Sequence, residues 1–309
     1  MKAAQIKQYG GTEVIEVVTD VANPVVQAGQ VLVQVYAASL NRIDSMIRAG
    51  FLQQMMPLTF PSTVGGDFAG VITEVGDGIT DLKIGDEVYG QAGVLMGGSG
   101  SFAEFVVVPS GKVAKKPSID MVQAASLPLV GTSAVQAIEE HINIQNGQKI
   151  LIHGGTGGIG SLAIQIAKVH NAYVTTTVSS GEIEMAKQLG ADEVIDYKKQ
   201  DFASMVKEYD AVFVTAADAL AGSYQVLKKG GILVAMTGQV DNALAQERGI
   251  TAIAQMTQAS SAQLKRLAEL VDSGKLKPVV DKTFTLDETK AAFDYFEQRH
   301  PKGKVVVTI

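Results

Sequence analysis

The chain has no cysteine among its 309 residues. A disulfide framework, a CxxC redox pair, a thiolate nucleophile and a Cys-ligated zinc or iron–sulfur centre are therefore excluded. Basic residues are in the minority: 26 Lys+Arg against 32 Asp+Glu give a formal net charge of −6 with both signs interspersed. A nucleic-acid partner, which calls for a basic face, is not expected. Long apolar runs are missing too. Nothing approaches the ~18 continuous apolar residues of a membrane span, and Met1-Lys2-Ala3-Ala4-Gln5-Ile6 passes into polar residues instead of an apolar leader core. The four histidines, His141, His153, His170 and His300, are scattered without a ligand-like spacing, so no metal site is expected. These absences leave a thiol-free globule, expected in the cytoplasm, with no membrane partner.

What is present is a chain of 46% hydrophobic residues, long enough for about two domains at roughly 150 residues each. The first part reads as strands and turns: Val31 to Tyr36, Val71 to Val75 before Gly76-Asp77-Gly78, and Phe102 to Val108 stopped by Pro109. From residue 119 the pattern alternates between helix and strand. Helices are predicted over 123–141, 159–170, 181–189, 202–208 and 219–227, and strands over 149–153, 172–178, 193–195, 211–215 and 231–236. Repeated βαβ units imply a doubly wound parallel sheet, an α/β fold. After 258 the rhythm breaks into a helix over 262–272, strands at 279–280, 284–285 and 304–309, and a helix over 287–298. The expected division is 119–257 as a nucleotide-binding domain, with 1–118 and 258–309 as a β-rich second domain.

The strongest local signal is His153-Gly154-Gly155-Thr156-Gly157-Gly158-Ile159-Gly160. Read as Gly155-x-Gly157-x-x-Gly160 it matches the dinucleotide fingerprint, and it follows an apolar strand and opens an amphipathic helix as that fingerprint requires. Side-chain-free residues let the backbone approach a pyrophosphate, whose charge meets the N–H groups and dipole of the helix N-terminus. An NAD site expects a carboxylate about 20 residues on, at the end of the next strand. Here that strand ends Val178-Ser179-Ser180-Gly181. Two hydroxyls in place of an acid favour NADPH, because they can donate to a 2′-phosphate that an acid would repel. A simple helix-cap turn at Ser179 and Ser180 is the alternative.

Several ordered motifs then resemble a known family. Ser39 to Gly50, Pro61-x3-Gly65-Gly66-Asp67-x2-Gly70, Gly85-Asp86-Glu87-Val88-Tyr89-Gly90, Ala125-x-Leu127-Pro128-x2-Gly131-Thr132-Ser133-Ala134, Leu189-Gly190-Ala191-Asp192 and Gly274-Lys275-Leu276-Lys277-Pro278 are similar to the medium-chain dehydrogenase/reductase superfamily. Within it the chain resembles the zinc-free quinone oxidoreductase, zeta-crystallin-like branch. Zinc-dependent relatives have a cysteine where Asn41 stands, Gly-His-Glu where Gly65-Gly66-Asp67 stands, and a four-cysteine lobe where this chain has only Gly90 to Ser101.

The resemblance implies a GroES-like β-rich catalytic domain beside a Rossmann domain, a cofactor cleft between them, and a homodimer through an edge strand near 251–256. It matches Thr156, Gly157, Gly158 and Ile159 to the pyrophosphate loop, and Ser179 and Tyr197 to positions near the adenosine 2′-phosphate, where the strand-end reading also sets Ser180. Ala216, Thr237, Gly238 and Gln239 match segments along the ribose and nicotinamide, Asn41 and Thr132 lie near the nicotinamide, and Lys304 matches a basic cofactor contact. Met46 stands where relatives often have tyrosine. An apolar acceptor mouth is expected from Phe51, Leu52, Met55, Met56 and Phe60 with the loop 94–100.

The chemistry that fits is hydride transfer from NADPH to a quinone or an α,β-unsaturated carbonyl, electrophiles that need no Lewis-acid metal. Asn41 is the expected catalytic residue, through a hydrogen bond to the acceptor oxygen; a loop-stabilising role is its alternative. A zinc-free alcohol or aldehyde oxidoreductase and a non-catalytic NADPH-binding protein are the competing readings.

Overall fold

The computed structural model describes residues 1–93, 98–299 and 301–309. The chain divides into two compact units, one of Met1–Leu129, Ala259–Asp272 and Pro278–Ile309, the other of Val130–Gln258 and Ser273–Lys277.

In the second unit six strands form one parallel sheet, in the spatial order Glu193–Asp196, Tyr173–Val178, Lys149–His153, Tyr209–Val214, Leu227–Ala235, Thr251–Ala254. Numbered along the chain this is 3-2-1-4-5-6, the doubly wound order, with its switch point between Lys149–His153 and Tyr209–Val214. Ile150, Leu151 and Ile152 are consecutive and all 0% exposed. Successive strand side chains point to opposite faces, so both faces of the sheet are covered, as a parallel sheet requires. The helix Gly158–Val169 starts directly past the end of the central strand.

The first unit is mostly antiparallel. Its larger sheet runs Val280–Thr285, Lys304–Thr308, Gln30–Ser39, Asp67–Val75, Glu87–Gln91, Val113–Lys115, with Phe105–Pro109 also paired to Gln30–Ser39. The C-terminal strand thus lies beside an N-terminal one, Val306 opposite Ser39, and Leu40 N–H donates to Val305 O at 3.0 Å. Phe68, Phe102 and Phe293 are fully buried in its core, and the rings of Phe102 and Phe293 meet edge-on with centroids 5.9 Å apart. Each such ring contributes roughly 1.5–3 kcal/mol by burial.

Two sequence expectations, both of helix extent, need correction. The helix predicted over 123–141 is broken into Met121–Ala125, Pro128–Val135 and a π-helical Gln136–His141. Pro128 opens the second piece, since a proline lacks the N–H an interior position needs and pushes the residue before it out of the α region. The helix predicted over 202–208 is one turn, Phe202–Met205, and the chain turns away at Glu208, whose φ is +59°. The compact units divide at Leu129/Val130, and Met121–Ala125, which the expected division at 118/119 gives to the nucleotide-binding domain, packs on the strands Gln30–Ser39 and Asp67–Val75. The loop 94–97 of the expected acceptor mouth lies outside the described residues, as does His300.

Candidate functional site

At the switch point the glycines divide their work. Gly154 has φ +68°, and its N–H donates to Thr177 O at 3.1 Å, turning the chain off the strand. A Cβ on Gly155 would lie 2.1 Å from Thr176 Oγ1, and one on Gly160 would lie 2.2 Å from Gly154 O. Those two positions are glycine because the turn folds onto itself and its neighbouring strand. Gly157 differs: a Cβ there meets only Gly154 O, at 3.4 Å. Gly157 is also the N-cap of Gly158–Val169, and no side chain caps that helix. The first-turn N–H groups therefore retain donor capacity beside open space, which fits a pyrophosphate.

His153, at the strand end, is 1% exposed and packs edge-on to Phe202 with centroids 4.6 Å apart. Its ring nitrogens lie 3.1 Å from Thr177 Oγ1 and 3.0 Å from Ser223 Oγ. Burial pushes its pKa down to about 4, so the ring is neutral and structural near pH 7.

Ser179 and Ser180 sit past the end of Tyr173–Val178, but both hydroxyls are engaged. Ser179 Oγ donates to Glu182 Oε2 at 2.8 Å, the same carboxylate accepts from Ser179 N–H, and Ser180 Oγ donates to Asp196 Oδ2 at 2.5 Å. Asp196 ends the adjacent strand, in register with Val178. Its carboxylate also accepts from Lys198 N–H at 3.1 Å and faces Lys199 Nζ at 3.4 Å, and the Ser180 bond, with these neighbours, holds its pKa below the usual value. Tyr197 beside it is 52% exposed. A carboxylate is therefore present at this end of the sheet. The sequence reading missed it because it comes from the third strand, not from the end of the second.

Of the remaining expected cofactor positions in this unit, Thr132 is 0% exposed in the helix Pro128–Val135, and Ala216 follows the strand Tyr209–Val214. Thr215 Oγ1 donates to His153 O at 2.6 Å, tying that turn to the glycine turn. Thr237, Gly238 and Gln239 form the turn after Leu227–Ala235, where Gly238 takes φ +84°. Thr237 Oγ1 is buried without a hydrogen-bond partner among the described residues.

In the first unit Asn41 and Lys304 come together with two carboxylates. Asn41, Asp44, Asp67 and Lys304 are all between 0% and 5% exposed. Asn41 starts the helix Arg42–Arg48, and its backbone N–H donates to Asp44 Oδ2 at 2.7 Å. Its side-chain Nδ2 donates to Asp67 Oδ2 at 2.9 Å, and its Oδ1 accepts from Lys304 Nζ at 2.5 Å. Lys304 Nζ also donates to Leu40 O at 2.6 Å and lies 3.7 Å from Asp67 Oδ2. Leu129 N–H donates to the Asp67 carboxylate at 3.1 Å. Burial raises the Asp44 carboxyl to about 7; nearby Asp67 pushes the same way, while the Asn41 N–H and Lys304 oppose it. Burial also raises Asp67, against the pull of Lys304 and of the Asn41 and Leu129 donors. Asp44 and Asp67 had no role assigned from the sequence. The available signal was Asn41-x-x-Asp44, the N-cap and third position of a capping box.

Phe51 and Met55, expected at the acceptor mouth, are 77% and 73% exposed, and follow the helix Arg42–Arg48. No group of three metal-ligating side chains occurs among the described residues, and no helix there is long and apolar enough to cross a membrane.

Residues 27–118 match the family described as alcohol dehydrogenase GroES-like domain, and residues 189–307 match the one described as zinc-binding dehydrogenase. The NADPH-dependent alkenal/one oxidoreductase, chloroplastic, of Arabidopsis thaliana is 38% identical over 99% of this chain and 79% of its own. The 2-methylene-furan-3-one reductase of Solanum lycopersicum is 37% identical over 99% of this chain and 79% of its own. Among solved structures, the quinone oxidoreductase from Coxiella burnetii superposes with a TM-score of 0.91 at 33% identity, covering 100% of this chain and 99% of that one.

Proposed function

Because the chain belongs to the quinone oxidoreductase branch of the medium-chain dehydrogenase/reductase superfamily, we propose that it is an NADPH-dependent reductase of quinones or α,β-unsaturated carbonyl compounds that works without zinc. The carrying observation is the uncapped helix N-terminus behind Gly157, where a Cβ would meet only one backbone oxygen at 3.4 Å. In this reading Thr156, Gly157, Gly158 and Ile159 hold the pyrophosphate, Ser179, Ser180 and Tyr197 the adenosine end, and Thr132, Ala216, Thr237, Gly238 and Gln239 the ribose and nicotinamide. The unpartnered Thr237 hydroxyl supports that last assignment.

When bound, NADPH would supply a hydride to an electrophilic carbon of the acceptor, which needs no metal activation, and water would supply the proton that completes the reduction. The protein binds, orients and excludes water. Asn41 has a second Nδ2–H beyond the one spent on Asp67, available to an acceptor oxygen. The exposed apolar Phe51 and Met55 suit flat, varied acceptors. The absence of cysteine and the presence of Asn41 and Gly65-Gly66-Asp67 where zinc-dependent relatives have ligands support metal independence.

A homodimer belongs to the same reading. Thr251–Ala254 is the last strand of its sheet, and Met256 just beyond it is 77% exposed. Light scattering after size exclusion tests this, and a monomer at micromolar concentration would refute it. A cytoplasmic location is also part of the reading, and fractionation of the source cells tests it.

Steady-state NADPH oxidation with a panel of quinones, enals and enones tests the activity. Turnover with at least one of these classes is expected. Tight NADPH binding with no turnover on any acceptor would overturn the enzyme reading.

A further inference from the structure

Asn41 is clamped from both sides. A lysine ammonium can only donate and an ionised carboxylate can only accept. Lys304 Nζ therefore requires Oδ1 of Asn41 on its side, and Asp67 requires Nδ2 on its own. Turning the carboxamide over would set an N–H against the ammonium and an oxygen against the carboxylate, two repulsive contacts in a dry site. The backbone is fixed as well, by the bond from Asn41 N–H to Asp44.

Lys304 is 4% exposed and spends its donors on Leu40 O and Asn41 Oδ1, with Asp67 Oδ2 3.7 Å away. A buried charge cluster of this kind is poor value for stability alone, because well-packed apolar residues of similar volume do as well or better. Its geometry converges on one side chain.

We propose that Lys304 and Asp67 are positioning residues for Asn41, holding its carboxamide in a single orientation that leaves one Nδ2–H to donate to a ligand oxygen. Lys304 thus acts through Asn41 and not by touching the cofactor. The catalytic consequence rests on the reductase reading above; the orientation itself does not.

The test has an arm for each. The chain without cofactor is labelled with 15N-asparagine, and Asn41→Ala identifies the Asn41 side-chain signals. In the wild type these form a separated pair protected from solvent exchange. In Lys304→Met the protection falls by about tenfold or more, and in Lys304→Gln, which keeps a donor, it partly returns. If Lys304→Met does not fold, Lys304→Met with Asp67→Asn removes both charges and is measured instead. On the loaded protein, Lys304→Met lowers kcat by about ten- to a hundredfold with NADPH affinity unchanged. Adding it to Asn41→Ala costs nothing further. Unchanged Asn41 protection in Lys304→Met, additive losses in the double variant, or a loss confined to NADPH affinity would each overturn the proposal. A wild type that reduces no acceptor sinks the reductase reading and leaves the spectroscopic arm to decide the orientation.

Discussion

Among single residues, Gly157 and Gly160 look interchangeable in the fingerprint, yet they answer to different constraints. Gly160 faces a backbone oxygen at 2.2 Å from its would-be Cβ, whereas Gly157 opens onto space. Gly157→Val should stay folded by circular dichroism and lose NADPH binding by fluorescence titration, while Gly160→Val should lose stability first. Retained binding in Gly157→Val would refute the pyrophosphate assignment. His153 shows a second residue-level rule. Ser223 Oγ donates its proton to Ala219 O at 2.7 Å, so it must accept from His153 Nε2–H, and Nδ1 must accept from the Thr177 hydroxyl. One tautomer follows, locked next to the glycine turn.

At the scale of elements, the proposed reading makes cofactor choice depend on the ends of two adjacent strands, Tyr173–Val178 and Glu193–Asp196, and on the turn that carries Glu182. The serines read from the sequence as donors to a 2′-phosphate are spent on Glu182 and Asp196. Where the 2′-phosphate meets these serines as proposed, those carboxylates oppose its charge and hold down the preference for NADPH over NADH. Asp196→Asn or Glu182→Gln should raise that preference, measured as the ratio of dissociation constants, by about tenfold for removal of one nearby charge worth about 1.4 kcal/mol. An unchanged or reduced ratio would show that the phosphate does not reach these serines. The segment Ala259–Asp272 offers another element-level test. Tyr89, 0% exposed, donates to Leu264 O at 2.5 Å within the first unit. Tyr89→Phe should cost about 1 kcal/mol in urea unfolding.

For the molecule as a whole, two buried groups tilt stability in opposite directions. Asp44 has its folded pKa raised to about 7 from 3.8 and faces Asp67, Lys304 and the Asn41 N–H. Between those values the folded state holds the proton and the unfolded state does not, so stability falls as pH rises. His153 is lowered to about 4 from 6.5, among Thr177, Ser223 and Phe202. There the unfolded state binds the extra proton, so stability rises with pH. Each slope is about 1.4 kcal/mol per pH unit. In denaturant titrations from pH 4.5 to 6.5, Asp44→Asn should make stability rise more steeply with pH, and His153→Gln should make it fall. Slopes that match the wild type in both variants would show that neither group titrates as placed here.

The periodic half of the chain declared itself. Apolar runs such as Lys149–His153 and the glycine turn behind them carry an α/β doubly wound sheet in local pattern alone, because βαβ repeats and a side-chain-free phosphate turn need only neighbours along the chain. The missing cysteines likewise exclude thiolate chemistry with no structure at all. Where pattern met a competing rule it failed, as at Pro128 inside an apparent helix and at Glu208 with its left-handed backbone. What only the tertiary structure decided are encounters across long stretches of chain: Lys304 on Asn41, Asp67 beside both, and Asp196 on Ser180. Pairing of Lys304–Thr308 with Gln30–Ser39 brings an ammonium to an amide from opposite ends of the sequence. Periodicity reports which face of an element is apolar, but a hydrogen bond between residues from distant elements depends on strand register and order, which are set when the sheets assemble.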